Sequence, residues 1–302
     1  MAGHNAAASA AGYLYQTNWA LVELLRKGRT RPDQAITLEL HDDVAWTTEN
    51  DSEDALELLQ VKLHTTAKAA GLGDMGVDIW KTLKVWMDRP DATDPHGPDL
   101  ALVTTSIANP GTAAFALRPS CTADGETRDV TLAIELLVKA ASESTSAGTQ
   151  AARMAFLALG EAGRSHLINR VRVLDGQISP EAIDASLREE LAYGLPAGQE
   201  GEDRFVAQVW HWWAQMAIGM LSNTRATVSV GEVRTFIREL RNSYTTQNLP
   251  TTVPLSAITN EHIGLYDGSL FVAQLKLVDY AGEALRTAII GLFTVEGVGV
   301  GA

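Results

Sequence analysis

The chain has 302 residues, 46% of them hydrophobic, with a net charge of −13 and a pI near 5.0. This is a globular composition with length for one large domain or two modest ones. No apolar run approaches the roughly 20 residues of a membrane-spanning helix. The single cysteine, Cys121, excludes an internal disulfide and a cysteine-ligated metal cage. The Ala-rich amino-terminal stretch lacks the basic start and apolar core of a signal peptide, so we expect a cytoplasmic, bacterial protein.

The acidity bears on nucleic-acid binding, because duplex-binding proteins gain much of their affinity from Lys and Arg contacts to phosphates. A net charge of −13 argues against strong, unassisted binding of DNA. It leaves room for a local basic path, and the run RKGRTR at 26–31 is one candidate. The same run also fits a solvated helix end, where cations interact favourably with the helix dipole.

Hydrophobic periodicity predicts the elements of the first two thirds of the chain. A helix over 12–27 ends at Gly28, and alternating apolar residues predict a strand over 35–40. A polar connection at 47–55 leads to a second strand over 56–64, whose apolar density indicates burial on both faces. The remaining predicted elements are a helix over 76–90, a strand over 100–105, helices over 130–142 and 150–162, a strand over 170–176 and a helix over 179–195 that Ser179 caps and Pro180 begins. This alternation predicts an α/β fold.

The Pro-, Gly- and acid-rich stretch 195–203 predicts a boundary between two domains, 1–200 and 201–302. The second domain is predicted to be α-helical, with helices over 204–223 and 227–244 and one or two more before the Gly-rich tail. Ser229 and the Glu three residues later predict a capping box.

The first helix of this second domain carries an aromatic cluster. Trp210 and Trp213 lie on its apolar stripe, so we expect core packing there in preference to stacking on nucleic-acid bases. His211 and Trp212 fall off the stripe, where they are available to a partner.

A group of residues with the chemistry of a phosphodiesterase lies in the first 65 residues. Asp42 and Asp43 follow the first predicted strand, and Gln60 and Lys62 lie two apart on the second, on one face, with Val61 in the core. Phosphodiester hydrolysis needs a divalent metal with hard oxygen ligands and a cation near the developing charge. A lysine in so apolar a strand needs a carboxylate or phosphate partner. The spacing alone fits both a nuclease metal centre and an ion pair from Lys62 to an aspartate that stabilises a strand pair.

Three motifs in order add a family resemblance: GYLYQ at 12–16, ELHDD at 39–43 and QVKLH at 60–64. Together they resemble the double-strand DNA endonuclease domain of bacterial antiphage effectors, including CD-NTase-associated and Lamassu systems, with the QxK variant of the PD-(D/E)xK motif. The family pattern is Q-x-K-H, and here Leu63 is inserted before His64. The resemblance implies a restriction-endonuclease-like mixed sheet flanked by helices over 1–200, followed by an α-helical domain.

The resemblance implies a catalytic set drawn from all three motifs: Gln16, Glu39, Asp42, Asp43, Gln60 and Lys62. Asp43 is the first choice of ligand for Mg²⁺ or Mn²⁺ and Asp42 the second, while Gln60 ligates or positions through its amide oxygen. Lys62 would stabilise the pentavalent phosphate or orient the attacking water.

Glu39 and Gln16 complete this set. Glu39 shares the parity of Asp43 on an extended strand and would add a carboxylate, and Gln16 would reach the site from the first helix. The alternative role of Glu39 is that of a surface residue on the strand, and the alternative role of Gln16 is packing at the start of the helix. His41 and His64 have no second histidine at ligand spacing, so no role is predicted for them.

The second domain resembles the carboxyl-terminal domain of effectors in ABC three-component, Lamassu-like systems, through its WW-bearing helix, FIREL, NLP and FVAQLKLV. That resemblance implies docking on an SMC-like ATPase subunit and a small third subunit, which hold the nuclease inactive until release and self-association. We therefore expect a metal-dependent DNA endonuclease effector that acts on double-stranded DNA as a homo-oligomer. A catalytically degenerate scaffold and an RNA-cleaving enzyme remain alternatives.

Overall fold

A mixed sheet of six strands is the framework of the computed structural model, which describes residues 6–64, 72–119, 128–244, 264, 268–277 and 285–288. The strands are β1 (Gln34–Leu38), β2 (Val44–Thr48), β3 (Ala55–Lys62), β4 (Asp99–Thr104), β5 (Val171–Leu174) and β6 (Val228–Ser229). Their order in the sheet is β5-β4-β3-β2-β1-β6.

Strand directions bring several chain segments to one edge of the sheet. β2 is antiparallel to β1 and β3, whereas β3, β4 and β5 are parallel, with Lys62 opposite Thr104. β2 starts beside the end of β3, where Val44 pairs with Leu59. The turn 39–43 therefore lies at the same edge as the carboxyl ends of β3 and β4.

Helices supply the layers around this sheet. They are α1 (Ala6–Gly28), α2 (Val77–Met87), α3 (Ala113–Ala116), α4 (Val130–Glu143), α5 (Gln150–Ala158), α6 (Gly160–Arg170), α7 (Ile183–Leu191), α8 (Gln199–Leu221), α9 (Val230–Ser243) and α10 (Leu270–Leu277). Among the helices that the structure describes, none has both the length and the apolarity needed to cross a bilayer. The predicted α/β architecture with a helical carboxyl-terminal part is confirmed.

The two faces of β3 meet different helices. Leu58 belongs to the core formed with α2, α4, α5 and α6, where Trp80 and Trp86 are buried. Glu57, which points to the other face, contacts Lys27 of α1. Because side chains alternate along a strand, Gln60 and Lys62 share the α2 face with Leu58.

The prediction of a first strand running to residue 40 with two aspartates at its end is wrong. β1 ends at Leu38, Glu39 has a positive φ of 56°, and residues 39–43 form a turn into β2. Glu39 and Asp43 therefore do not share the parity of an extended strand. The sequence VAWTT of β2 is rich in β-branched and aromatic residues. Two of its five residues, Thr47 and Thr48, fall within the run 47–55 that was predicted to be a polar connection, so this strand was missed.

Other local predictions were partly correct. The helix predicted over 150–162 breaks between α5 and α6 at Gly160, whose φ is +69°. Ser179 makes no side-chain cap, and Pro180 begins a short 3-10 turn before α7. Ser229 does accept the backbone N–H of Glu232 at 3.1 Å, which confirms the predicted cap of α9. The strand pairing of Val228 and Ser229 with β1 was not predicted.

The chain divides into two compact units, residues 1–193 with 206–234 and residues 194–205 with 235–302. In the second unit, Phe205 and Tyr244 make an edge-to-face ring contact with centroids 5.7 Å apart. Helix α8 continues through the predicted boundary near residue 200. A functional division at that position stays a prediction, and the Gly-rich tail at 297–302 lies outside the described residues.

In the first unit, Trp213 is buried and its indole N–H donates to the carbonyl of Thr17 at 2.8 Å. Its core role is confirmed. Trp210 is partly buried and donates to Asp184, whereas Trp212 lies against the Trp213 ring with centroids 6.4 Å apart.

Candidate functional site

The turn 39–43 is held from helix α1. Gln16 is 6% exposed, and its amide nitrogen donates to the Glu39 carboxylate at 2.9 Å and to the Asp43 carbonyl at 2.5 Å. The backbone N–H of Glu39 donates to the same carbonyl at 3.3 Å. Gln16 thus joins the helix to both acidic ends of the turn.

Asp42 is a buried carboxylate with both oxygens in use. One oxygen accepts the indole N–H of Trp86 at 2.9 Å, and the other accepts the backbone N–H of Asp43 at 2.9 Å and the amide of Gln60. Burial raises the pKa of Asp42 above its ordinary value, although the hydrogen bonds from Gln60 and Trp86 act in the opposite direction. Asp42 therefore holds the Gln60 side chain in place by accepting the hydrogen bond of its amide.

Asp43, Gln60 and Lys62 lie together at the end of β3. The Asp43 carboxylate accepts the backbone N–H of Val61 at 2.8 Å and the Gln60 amide at 3.2 Å. The Lys62 ammonium donates to the Gln60 amide oxygen at 2.8 Å and lies 3.5 Å from the Asp43 carboxylate. All six residues singled out in the sequence are therefore linked through one network of contacts, in which Gln16 reaches Asp43 through its backbone carbonyl.

The ion pair between Lys62 and Asp43 is present, as the simpler interpretation of the spacing requires. Their side chains are 29% and 20% exposed, and an ion pair of that exposure contributes about 0–1 kcal/mol. The shorter contact of Lys62 is with Gln60, which itself bridges to Asp42. An ion pair that only stabilised two strands would need neither the contact of Lys62 with Gln60 nor that of Gln60 with Asp42.

The donor set suits a hard divalent cation that keeps several waters. Within the described residues, no group of three His, Cys, Asp or Glu side chains is arranged to hold a metal ion. Asp43 and Glu39 supply two carboxylates, and the Gln16 amide joins the Glu39 carboxylate to the backbone carbonyl of Asp43. The Gln60 amide turns its nitrogen toward Asp43 and its oxygen toward Lys62, so rotation of the amide would present the oxygen to a cation.

The basic run 26–31 is neutralised inside the first unit. Its contacts are Arg26–Glu190, Arg29–Glu190, Lys27–Glu23, Lys27–Glu57 and Arg31–Glu57. The Arg31 guanidinium also lies over the Trp46 ring, 5.1 Å from its centroid. Glu57 precedes Lys62 by five residues, or roughly 16 Å along a strand. This run is therefore paired with carboxylates away from the candidate site.

Three neighbours of the site were missed in the sequence. Trp86 supports Asp42, Asp78 of α2 lies beside His64, and Thr105 bonds the backbone of His64. The amphipathic pattern of α2 indicated only a buried face. His41, for which no role was predicted, has a ring nitrogen 2.5 Å from the carbonyl of Ser52.

An acidic turn, an amide and a lysine at one edge of a mixed sheet form the kind of site that phosphodiester-cleaving enzymes use. Residues 5–72 match a family model described as the Cap4 dsDNA endonuclease domain. All six candidate residues lie within the match, which supports a CD-NTase-associated nuclease of antiphage defence with double-stranded DNA as substrate. No curated protein and no solved structure matches the chain.

Proposed function

We propose that this protein is a metal-dependent endonuclease effector of a bacterial antiphage defence complex, with a restriction-endonuclease-like PD-(D/E)xK domain. The observation that carries the proposal is the contact of Lys62 with both Gln60 and Asp43. These groups meet at one sheet edge inside the segment that matches a dsDNA endonuclease domain.

Each residue has a role that its contacts support. Asp43 and Glu39 would hold Mg²⁺ or Mn²⁺, with Asp42 or the Gln60 oxygen as a further ligand, and the ion would polarise the phosphate and supply hydroxide. Asp42 fixes Gln60, and Gln16 fixes the turn that carries both ligating acids. Lys62 would turn its ammonium to the developing phosphate charge.

The charge distribution fits an effector that binds DNA weakly as a single copy. The chain has a net charge of −13, and its basic run is ion-paired within the protein. Self-association would raise the affinity for DNA by multivalency. An SMC-like ATPase subunit and a small third subunit would hold the protein inactive until release.

Plasmid cleavage with Mg²⁺ or Mn²⁺ tests this proposal. We expect Lys62→Ala to cut about 100-fold more slowly or worse, the usual cost of losing one group that stabilises the transition-state charge. We expect Asp43→Asn to cut the plasmid no faster than Lys62→Ala. Lys84→Ala is the matched control, because Lys84 lies on the surface of α2 and pairs with Asp88.

Two results would contradict the proposal: equal cutting by the wild type and Lys62→Ala, or no cutting in any assembly state. Cleavage of structured RNA with duplex DNA left intact would reassign the substrate.

The orientation of Gln60 favours a second candidate, a catalytically degenerate scaffold. Its amide nitrogen occupies the space between Asp42 and Asp43, where a cation needs oxygen. Titration calorimetry separates the two. Heat from Mg²⁺ or Mn²⁺ that disappears in Asp43→Asn supports the enzyme, whereas no heat together with intact partner binding supports the scaffold.

A further inference from the structure

His64 is held at the same sheet edge as Lys62 by two reciprocal bonds. Its backbone N–H donates to the Thr105 hydroxyl at 2.9 Å, and that hydroxyl donates to the His64 carbonyl at 3.0 Å. Thr105 directly follows β4, and His64 lies two residues beyond the end of β3. The backbone at His64 is therefore fixed next to the strand end that carries Lys62.

The imidazole of His64 has a carboxylate partner. Its Nε2 lies 2.6 Å from an Asp78 carboxylate oxygen, and the two side chains are 30% and 19% exposed. Asp78 lies in the first turn of α2. A carboxylate against one ring nitrogen orients the imidazole. Within the described residues, Nδ1 of His64 has no hydrogen-bond partner.

One helix supports both this pair and the acidic turn. Trp86, near the end of α2, donates to Asp42, and Asp78, near its start, contacts His64. The pair is thus part of the same packed framework as the candidate site, on the β3 face that carries Gln60 and Lys62.

We propose that His64, oriented by Asp78, contacts a backbone phosphate of duplex DNA next to the one at Lys62. This inference rests on the proposed function. When the ring carries both protons, Nε2–H donates to Asp78 and Nδ1–H donates to a phosphate oxygen. Asp78 is a positioning residue that holds the ring.

Salt dependence of duplex binding tests the assignment. Binding is measured by fluorescence anisotropy with the full chain and a duplex oligonucleotide at pH 6 in EDTA, over a series of salt concentrations. Losing one phosphate contact lowers the slope of log K against log salt by about 0.9. We expect that decrease for His64→Gln, with several-fold weaker binding, and a partial decrease for Asp78→Asn.

Two further variants separate a contact from a folding defect. His64→Arg keeps a cation and should restore the slope, which a misfolded protein does not do. His96→Gln is the matched control, because His96 is exposed in the loop before the opposite end of β4, and its slope should equal that of the wild type.

An unchanged slope in His64→Gln, in a protein that binds and cuts duplex DNA, overturns the His64 assignment and leaves the nuclease standing. A wild type that neither binds nor cuts duplex DNA in any assembly state overturns the proposed function and this assignment with it.

Discussion

Glu39 provides a measurable test of strain at the candidate site. Its φ of 56° lies in the left-handed region, which costs a residue with a Cβ about 1–2 kcal/mol. Its side chain is exposed and accepts one hydrogen bond, from Gln16 at 2.9 Å. Glu39→Ala and Glu39→Gly both lose that bond, so the difference between these variants isolates the backbone conformation.

Glycine removes the left-handed penalty but loses about 0.5–1 kcal/mol of extra chain entropy on folding. Subtracting the midpoints of these two ranges leaves Glu39→Gly more stable than Glu39→Ala by about 0.75 kcal/mol. Urea unfolding of the two variants measures this difference. An alanine variant as stable as the glycine variant would refute the reasoning.

Plasmid cleavage by the same two proteins completes the test. Both variants lack the Glu39 carboxylate and should therefore lose cleavage activity. In Glu39→Gly, this loss of activity should accompany the relief of backbone strain. That combination is expected where an unfavourable conformation is retained because the site requires it. Full cleavage by Glu39→Gly would remove Glu39 from the catalytic set.

Two further predictions concern helix α1. Gln16→Glu is nearly isosteric but sets a carboxylate oxygen against the Glu39 carboxylate and the Asp43 carbonyl. In urea unfolding at pH 8, this variant should therefore be less stable than Gln16→Ala by about 1–3 kcal/mol. Equal stability of the two variants would show that the contacts of Gln16 do not form. Tyr15→Phe removes a buried hydroxyl that donates to the Ile178 carbonyl at 2.8 Å, and should cost about 1 kcal/mol at pH 7. Burial raises the pKa of Tyr15, so above pH 10 the folded protein keeps a proton that the unfolded chain releases, and wild-type stability should fall as pH rises. The free energies of unfolding of the wild type and Tyr15→Phe, measured from pH 7 to 11, should therefore converge. A constant difference between them would contradict the raised pKa.

The parts of the fold that could be predicted are those with a local signal. Period-two alternation placed Gln60 and Lys62 on one face of β3, and the contact between them is present. The apolar stripe of α8 identified Trp213 as core, and the Ser229 cap marked the start of α9. Each of these patterns lies within a few residues of chain.

What could not be predicted depends on contacts between distant residues or on competing local signals. No local pattern reports that Trp86 bonds Asp42 or that Asp78 faces His64, because each pair joins two different elements. The basic run is neutralised partly by Glu190, which lies far along the chain. The alternation of apolar and polar residues in β1 continues to Leu40, two residues past the end of the strand, so the sequence pattern did not indicate the turn that begins at Glu39.

The polar groups of the site satisfy one another. Lys62 donates to Gln60, and Asp43 accepts from Val61 and lies beside Lys62. A phosphate that approached Lys62 would have to compete with Gln60 for the ammonium, and the proposed cation at Asp43 would release Lys62 from that carboxylate. Occupancy of Asp43 by a cation and of Lys62 by DNA should therefore favour each other, and by thermodynamic linkage each would raise the affinity for the other by the same factor.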